Sequence, residues 1–315
     1  MPLWTSRRGA RASLVCAALG WAACAAPTRE PVAQPTTEPS HAGTSPHPSA
    51  KNASLADSVT PTGPAGASAS TAAICPPDMV HVKKEFCPDL EHRCVRSEYD
   101  KANHITICHR FDTDYKRCRG ARIALDFCID QFEYPNREGA HPPVMVNWHE
   151  AKGLCASHDK RLCYESEWTA ACEGPDEKPF PYGFERSKER CNIDNRWISP
   201  SLARVYSRDP SIRDAELARL DQSKPSGAMP GCVSEYDAYD LTGNFDEWVM
   251  ADRDRPKARG RLAALKGGAW GHVRNACRPV TTSHEPEFTY YFVSLRCCRD
   301  VTHEAHEGKS SLDTG

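Results

Sequence analysis

Cysteine constrains this chain more than any other residue: sixteen stand among its 315 positions. In a reducing compartment so many thiols would call for metal clusters, yet the C-x-x-C pairs of zinc ribbons do not occur in the sequence. Disulfides formed in an oxidising compartment account for them better. Setting aside Cys16 and Cys24 leaves fourteen, an even number that pairing can consume completely. Six of these, from Cys75 to Cys128, crowd into one stretch that reads as a stapled subregion with little core of its own. Cys297 and Cys298 are adjacent, so they close on each other only with strain and each needs a distant partner. The full connectivity stays open at this level.

The N-terminus suits the same compartment. Arg7, Arg8 and Arg11 precede an apolar run over 14–23, and Ala22 and Ala23 lead into Cys24, which reads as an export signal over 1–24. Its end is similar to a bacterial lipobox, with Trp21 where an aliphatic residue is usual. The expectation is an exported protein, periplasmic or at the cell surface, whose lipidated Cys24 anchors it without spanning the membrane. No apolar run reaches the roughly 18–20 residues of a membrane helix. Residues 25–73 hold eight prolines and no aromatic residue, and so cannot bury enough apolar surface to offset the entropy of ordering. They read as a spacer, followed by a folded region over 74–301 and a polar tail over 302–315. A net charge of −2 gives no electrostatic case for nucleic acid as a partner.

Within the folded region the pattern predicts a strand over 124–129 and a helix from the Asn147 cap to about 157, with Glu150 as the capping-box partner. A second helix is expected from about 164 to 172, burying Leu162, Trp168 and Ala171, and a strand at 248–249. Gly, Pro, Asp and Asn punctuate the remainder closely enough to leave only short strands and turns.

Two segments carry chemistry. Asp240, Asp246 and Glu247 surround Gly243, a residue that lets carbonyls turn inward. Carboxylate and carbonyl oxygens together are what Ca²⁺ accepts, although an acidic turn ahead of a strand reads the same way. The run 267–271, Gly-Gly-Ala-Trp-Gly, permits close backbone packing beside a large aromatic ring, with His272 and Cys277 just beyond. A thiolate–imidazole pair or metal site is one reading of these two; a buried half-cystine and a surface histidine is the other.

Taken together, the runs FCIDQFEYPN (127–136), PPVMVNWHEAKGLC (142–155), KRLCYESEWTAACEG (160–174), PYG (181–183), CNI (191–193), YDLTGNFDEWV (239–249), LKGGAWGHVRNACR (265–278) and SLRCCRD (294–300) resemble, in order, the formylglycine-generating enzyme or sulfatase-modifying factor family. The resemblance implies a loop-rich, disulfide-stapled α+β domain, a variant of the C-type-lectin-like fold. It implies structural calcium held by the side chains of Asp240 and Glu247 and the carbonyls of Gly243 and Phe245, and a second site using Asn192 and the Ile193 carbonyl. It pairs Cys155 with Cys297. The usual partner of Cys172 falls on Thr282 here, which makes Cys277 one candidate in its place.

At the active site the match breaks. Formylglycine generators resemble GGSW-x-C-x4-C, whose two thiolates hold copper. Here His272 stands at the first cysteine, Ala269 at the serine and Ala276 at the tyrosine, while Cys277 and Arg274 are kept. One thiolate and one imidazole remain a donor pair for copper or iron. The H-x3-H-x-E iron pattern of the related sulfoxide synthases does not occur. Two functions follow from the resemblance. One is an oxidoreductase acting on a peptide or small aromatic, with Arg274 orienting substrate, His272 as acid–base group or metal ligand, and Cys277 as the redox thiol. The other is a non-catalytic lipoprotein that binds a peptide, small molecule or partner on the same scaffold. The joint loss of Cys, Ser and Tyr favours the second.

Overall fold

A computed structural model describes residues 74–101, 104–253 and 262–301. The expected export signal with Cys24, the spacer over 25–73 and the tail over 302–315 lie outside the described residues. None of the described helices is long and apolar enough to cross a membrane.

Two four-stranded sheets and a separate two-stranded ribbon carry the β structure. The first sheet orders β1 (Met79–Phe86), β4 (Ile123–Asp130), β10 (Cys297–Asp300) and β5 (Arg161–Leu162), all antiparallel. The second orders β8 (Val280–Thr281), β7 (Ala263–Lys266), β6 (Asp246–Met250) and β9 (Val293–Leu295), with β6 and β9 parallel. The ribbon is β2 (Leu90–Asp100) against β3 (Ile105–Cys118). Among the described residues four helices, α1 (Trp148–Ala156), α2 (Glu165–Glu173), α3 (Leu202–Val205) and α4 (Pro210–Leu220), complete the α+β fold.

Local chemistry explains the elements that position the site. Helix α1 starts at Asn147 because the Glu150 N–H donates to the Asn147 side chain and the Asn147 N–H donates back to Glu150, both at 2.9 Å. Helix α2 ends at Gly174, whose φ of +67° suits glycine and where a Cβ would lie 2.6 Å from Glu235 Oε2. All nine residues of α2 are buried, with Leu162 and the predicted stripe of Trp168 and Ala171 among the core residues. Strand β6 is covered on both faces: Trp248 joins one large core cluster with Trp148, Trp270 and Leu295, while Val249 joins the other with Phe127, Ile129 and Trp168.

Seven disulfides staple the described chain. Cys155–Cys297 and Cys163–Cys298 send the adjacent pair of β10 to different places, α1 and the corner after β5. The first spans a separation of 142 residues, for which the chain-entropy model gives about 5 kcal/mol in isolation. The six N-terminal cysteines bond only with one another, as Cys75–Cys128, Cys87–Cys118 and Cys94–Cys108, so that stretch is stapled as expected. The structure corrects the expectation of little core: β1 and β4 bury Val82, Phe86, Phe127 and Ile129 in a large cluster, and it is the ribbon that adds no residue to either one. The 11- and 14-residue strands of the ribbon, and the 11-residue α4, also exceed the short elements expected.

One buried cation joins these parts. Arg296, with no exposed surface, donates to both oxygens of Glu247 in β6, to the carbonyls of Asp130 and Gln131 at the end of β4, and to the Tyr239 carbonyl. Trp168 of α2 donates to the same carboxylate at 2.7 Å. Replacing one partner of such a pair strands the other charge in the interior, at a cost of about 3–5 kcal/mol. Arg296→Met is therefore expected to lower the thermal midpoint of the oxidised protein by on the order of 10 °C; a shift of a degree or two in calorimetry would show that the pair is dispensable.

Candidate functional site

The site grows from the turn that follows β7. Gly267 and Gly268 have φ of +92° and +70°. A Cβ on Gly268 would meet Asn275 Nδ2 at 3.0 Å and His272 Cβ at 3.3 Å, so the doubled glycine is what lets the chain fold back on itself. Buried Asn275 then fastens the loop, its amide donating to the carbonyls of Gly268 at 2.8 Å and Ala269 at 2.9 Å. Arg186 braces it from outside, donating to the Asn275 carbonyl and side chain at 3.0 Å and to the His272 carbonyl at 3.3 Å. Asp194 holds that guanidinium in turn.

Asp246, the first residue of β6, reaches both the turn and the histidine. One carboxylate oxygen accepts the Gly268 N–H at 3.0 Å; the other lies 3.3 Å from His272 Nδ1. The His272 ring meets Phe292 edge-on with centroids 4.5 Å apart, and 22% of its side chain is exposed. The carboxylate thus stands within ion-pair distance of the imidazole. His272 and exposed Arg274 line a groove of about 680 Å³ with Gly271, Val273, His104, Ile105 and Trp197. Trp197 is 54% exposed.

The third expected member is not in the groove. Cys277 is fully buried and bonded to Cys172 of α2, so it offers no thiolate for redox chemistry or for a metal. The residues therefore do not fit copper or iron held by His272 and Cys277. Among the described residues no group of three or more His, Cys, Asp or Glu side chains is placed to hold a metal ion.

The acidic segment presents a different donor set. Asp240, at φ +59°, accepts the Gly227 N–H at 2.7 Å. Glu247 faces Arg296 and Trp168. Beside them Glu133 is fully buried, accepting from Asn244 Nδ2 at 2.9 Å and Ser226 Oγ at 3.0 Å. Burial, together with the charges of Asp240 and Glu247, pushes the Glu133 carboxyl well above its usual range. Burial likewise pushes Asp240 up to about 6. Three carboxyls thus lie around the Arg296 guanidinium. The expected calcium ligands are oxygens, the donor type a hard ion takes, and the Glu247 carboxylate already accepts from Arg296 and Trp168. Asn192 packs beside this segment: its carbonyl accepts the Asn244 N–H at 3.0 Å and lies where a Cβ on Gly243 would sit, at 2.4 Å. The Asn192 side-chain oxygen accepts from Asn195 at 2.9 Å, and Ile193 is buried against Gly243.

The structure thus brings His272 and Arg274 together and separates Cys277 from them. His104, Ile105, Trp197 and Asp246 were not singled out for the groove from the sequence. Asp246 was read only as one of three acids near a turn. Its neighbour Glu247 points to the core, and side chains alternate along a strand, which is the one sequence signal that could have turned Asp246 elsewhere.

A family model described as sulfatase-modifying factor enzyme 1-like domain matches residues 96–301. The chain is 31% identical over 168 residues to the inactive C-alpha-formylglycine-generating enzyme 2 of Bos taurus, covering 50% of this chain and 49% of that one. It is 23% identical over 176 residues to the formylglycine-generating enzyme of Mus musculus, covering 51% and 44%. The chain spans about half the length of the curated relatives it matches. Among solved structures, PvdO from Pseudomonas aeruginosa matches 71% of this chain and 94% of its own, with 13% identity and a TM-score of 0.43.

Proposed function

This chain belongs to the sulfatase-modifying factor enzyme 1-like domain family, and we propose that it is a ligand-binding member without the copper chemistry of formylglycine generators. The carrying observation is the Cys172–Cys277 bond. The family's oxidation needs two thiolates on one metal; here one is replaced by His272 and the other is spent in a disulfide. Two relatives, from Bos taurus and Mus musculus, bear the word inactive in their names, which supports the same reading.

The groove has the makings of a recognition site for a peptide or small aromatic. Arg274 offers a planar fork for a carboxylate, and Trp197 an exposed aromatic face. Binding at a braced loop costs little ordering entropy. A second reading rests on the closeness of His272 and Asp246 at the groove, which would place an acid–base group beside a bound substrate. The oxidoreductase reading loses the thiol on which it was built.

Two further properties complete the proposal. Calcium is held by the Asp240 and Glu247 side chains with the Gly243 and Phe245 carbonyls, and by Asn192 with the Ile193 carbonyl at a second site. It supplies charge balance to the acidic segment and takes no part in chemistry. The protein is exported and anchored through lipidated Cys24; its seven disulfides are consistent with folding in an oxidising compartment.

Alkylation without reduction, followed by digestion and mass spectrometry, should recover the Cys172 and Cys277 peptides joined, and adding copper with a cysteinyl peptide should consume no oxygen. A readily alkylated Cys277 would overturn the non-catalytic assignment. EDTA should lower the thermal midpoint by about 5–10 °C, reversed by excess calcium, since a ligand present at a hundred times its Kd contributes about 2.7 kcal/mol; an unchanged midpoint removes calcium from the acidic segment. Cys24→Ala should move the protein from the membrane pellet to the soluble fraction, and an unaltered distribution rules out the lipid anchor.

A further inference from the structure

We propose that the groove's ligand is an extended peptide that adds as a strand to the outer edge of β3 over residues 105–108. This deepens the binding reading above and rests on it. The inner edge of β3 pairs with β2 along its length, from Leu90↔Cys118 to Asp100↔Ile105. Its outer edge already accepts a strand-like segment elsewhere. The Phe111 N–H donates to the Phe184 carbonyl, and the Arg186 N–H donates to the His109 carbonyl, both at 2.9 Å, around an antiparallel bridge between Arg110 and Glu185.

That segment stops short. At Ser187 the chain turns away, its N–H donating to Tyr182 Oη at 3.1 Å. Strand β3 continues past this point to Ile105, and among the described residues no third strand pairs with 105–108. The groove lies at this end, with His104 and Ile105 on one side and the 271–274 loop on the other. The separation is fixed, because Arg186 spans from the end of the paired segment to the carbonyls of His272 and Asn275.

The edge itself is suited to pairing. Exposed edges are usually blunted by charge or proline, and Ile105-Thr106-Ile107-Cys108 carries neither. Its residues favour extended backbone. The Cys94–Cys108 bond ties it to β2 at the near end of the segment, so little order has to be acquired on binding. Main-chain bonds to the edge would supply affinity, and alternate side chains would supply selectivity. Exposed Arg274 is the lining cation with no acidic partner among the lining residues described, so the fitting peptide carries an acidic side chain toward Arg274 and an aromatic or β-branched side chain toward Trp197.

The test selects from a displayed library of random heptapeptides on the full-length, oxidised protein, with Arg274→Ala as the counter-target. Enriched peptides are then synthesised and N-methylated one residue at a time. A strand directs every second N–H at its neighbour, so methylation at one alternate set should weaken binding at least tenfold and at the other set hardly at all. Hydrogen exchange should slow at amides within 105–108 when peptide is bound. Peptides that bind through Arg274 but tolerate methylation everywhere, and leave 105–108 unprotected, overturn strand addition while sparing the groove. Failure to enrich any Arg274-dependent peptide overturns both.

Discussion

A single guanidinium sets the frame on which this molecule depends. Arg296 is removed from water completely, and a charge so placed persists only if every donor finds an acceptor. The acceptors it finds come from separate parts of the chain: Glu247 of β6, the carbonyls that end β4, and Tyr239 ahead of the acidic turn, with Trp168 of α2 joining through the same carboxylate. Two sheets and a helix are therefore registered to one another by directional bonds rather than by apolar contact alone. The consequence reaches the groove through one peptide unit. Glu247 is held at the hub, and Asp246, next along the strand, reaches the Gly268 turn and His272. Moving the hub would move the residue that holds the Gly268 turn.

Around that frame most of the chain is irregular, and irregular backbone is costly to order. The structure meets this cost with covalent and polar fasteners where strands do not reach. Cys172–Cys277 ties the end of the 267–277 loop to α2, Asn275 ties its beginning together, and Arg186 braces it from the far side. A loop fixed at three points keeps the groove's shape before any ligand arrives, which favours recognition over chemistry that needs movement.

The parts legible in the sequence are those written in local or pairwise chemistry. The Asn147–Glu150 cap and the Trp168 stripe announced α1 and α2, and both lie where the pattern placed them. The family resemblance supplied the Cys155–Cys297 bond and offered Cys277 as a partner for Cys172. The ribbon was invisible for a physical reason. Most of β2 is exposed, so its sequence shows no buried face and hence no apolar alternation to read. Helix α4 had its signal, Asp209 as cap and Pro210 at the first position, but only Glu216 and Leu220 are buried, so its periodicity was weak. Trp197 is beyond the reach of sequence because its meaning depends on what stands near it in space.

The ribbon poses the sharpest question about function. It contributes no residue to either large core cluster, yet two disulfides are devoted to it. Two isolated strands are marginal in water, so the bonds keep them extended and in register. Apolar packing of the two large clusters does not explain those bonds, because the ribbon adds no residue to either. Position does. The ribbon's tip supplies His104 and Ile105, without which the groove would have one wall. A disulfide that hardens an exposed strand stabilises nothing so directly as the separation between that strand and the loop facing it. On the other wall Ala269, His272 and Ala276 stand in the loop, and Cys277 is bonded to Cys172. The stapled ribbon presents a main-chain edge beside Arg274 and Trp197, the feature on which the proposed pairing with an extended chain depends.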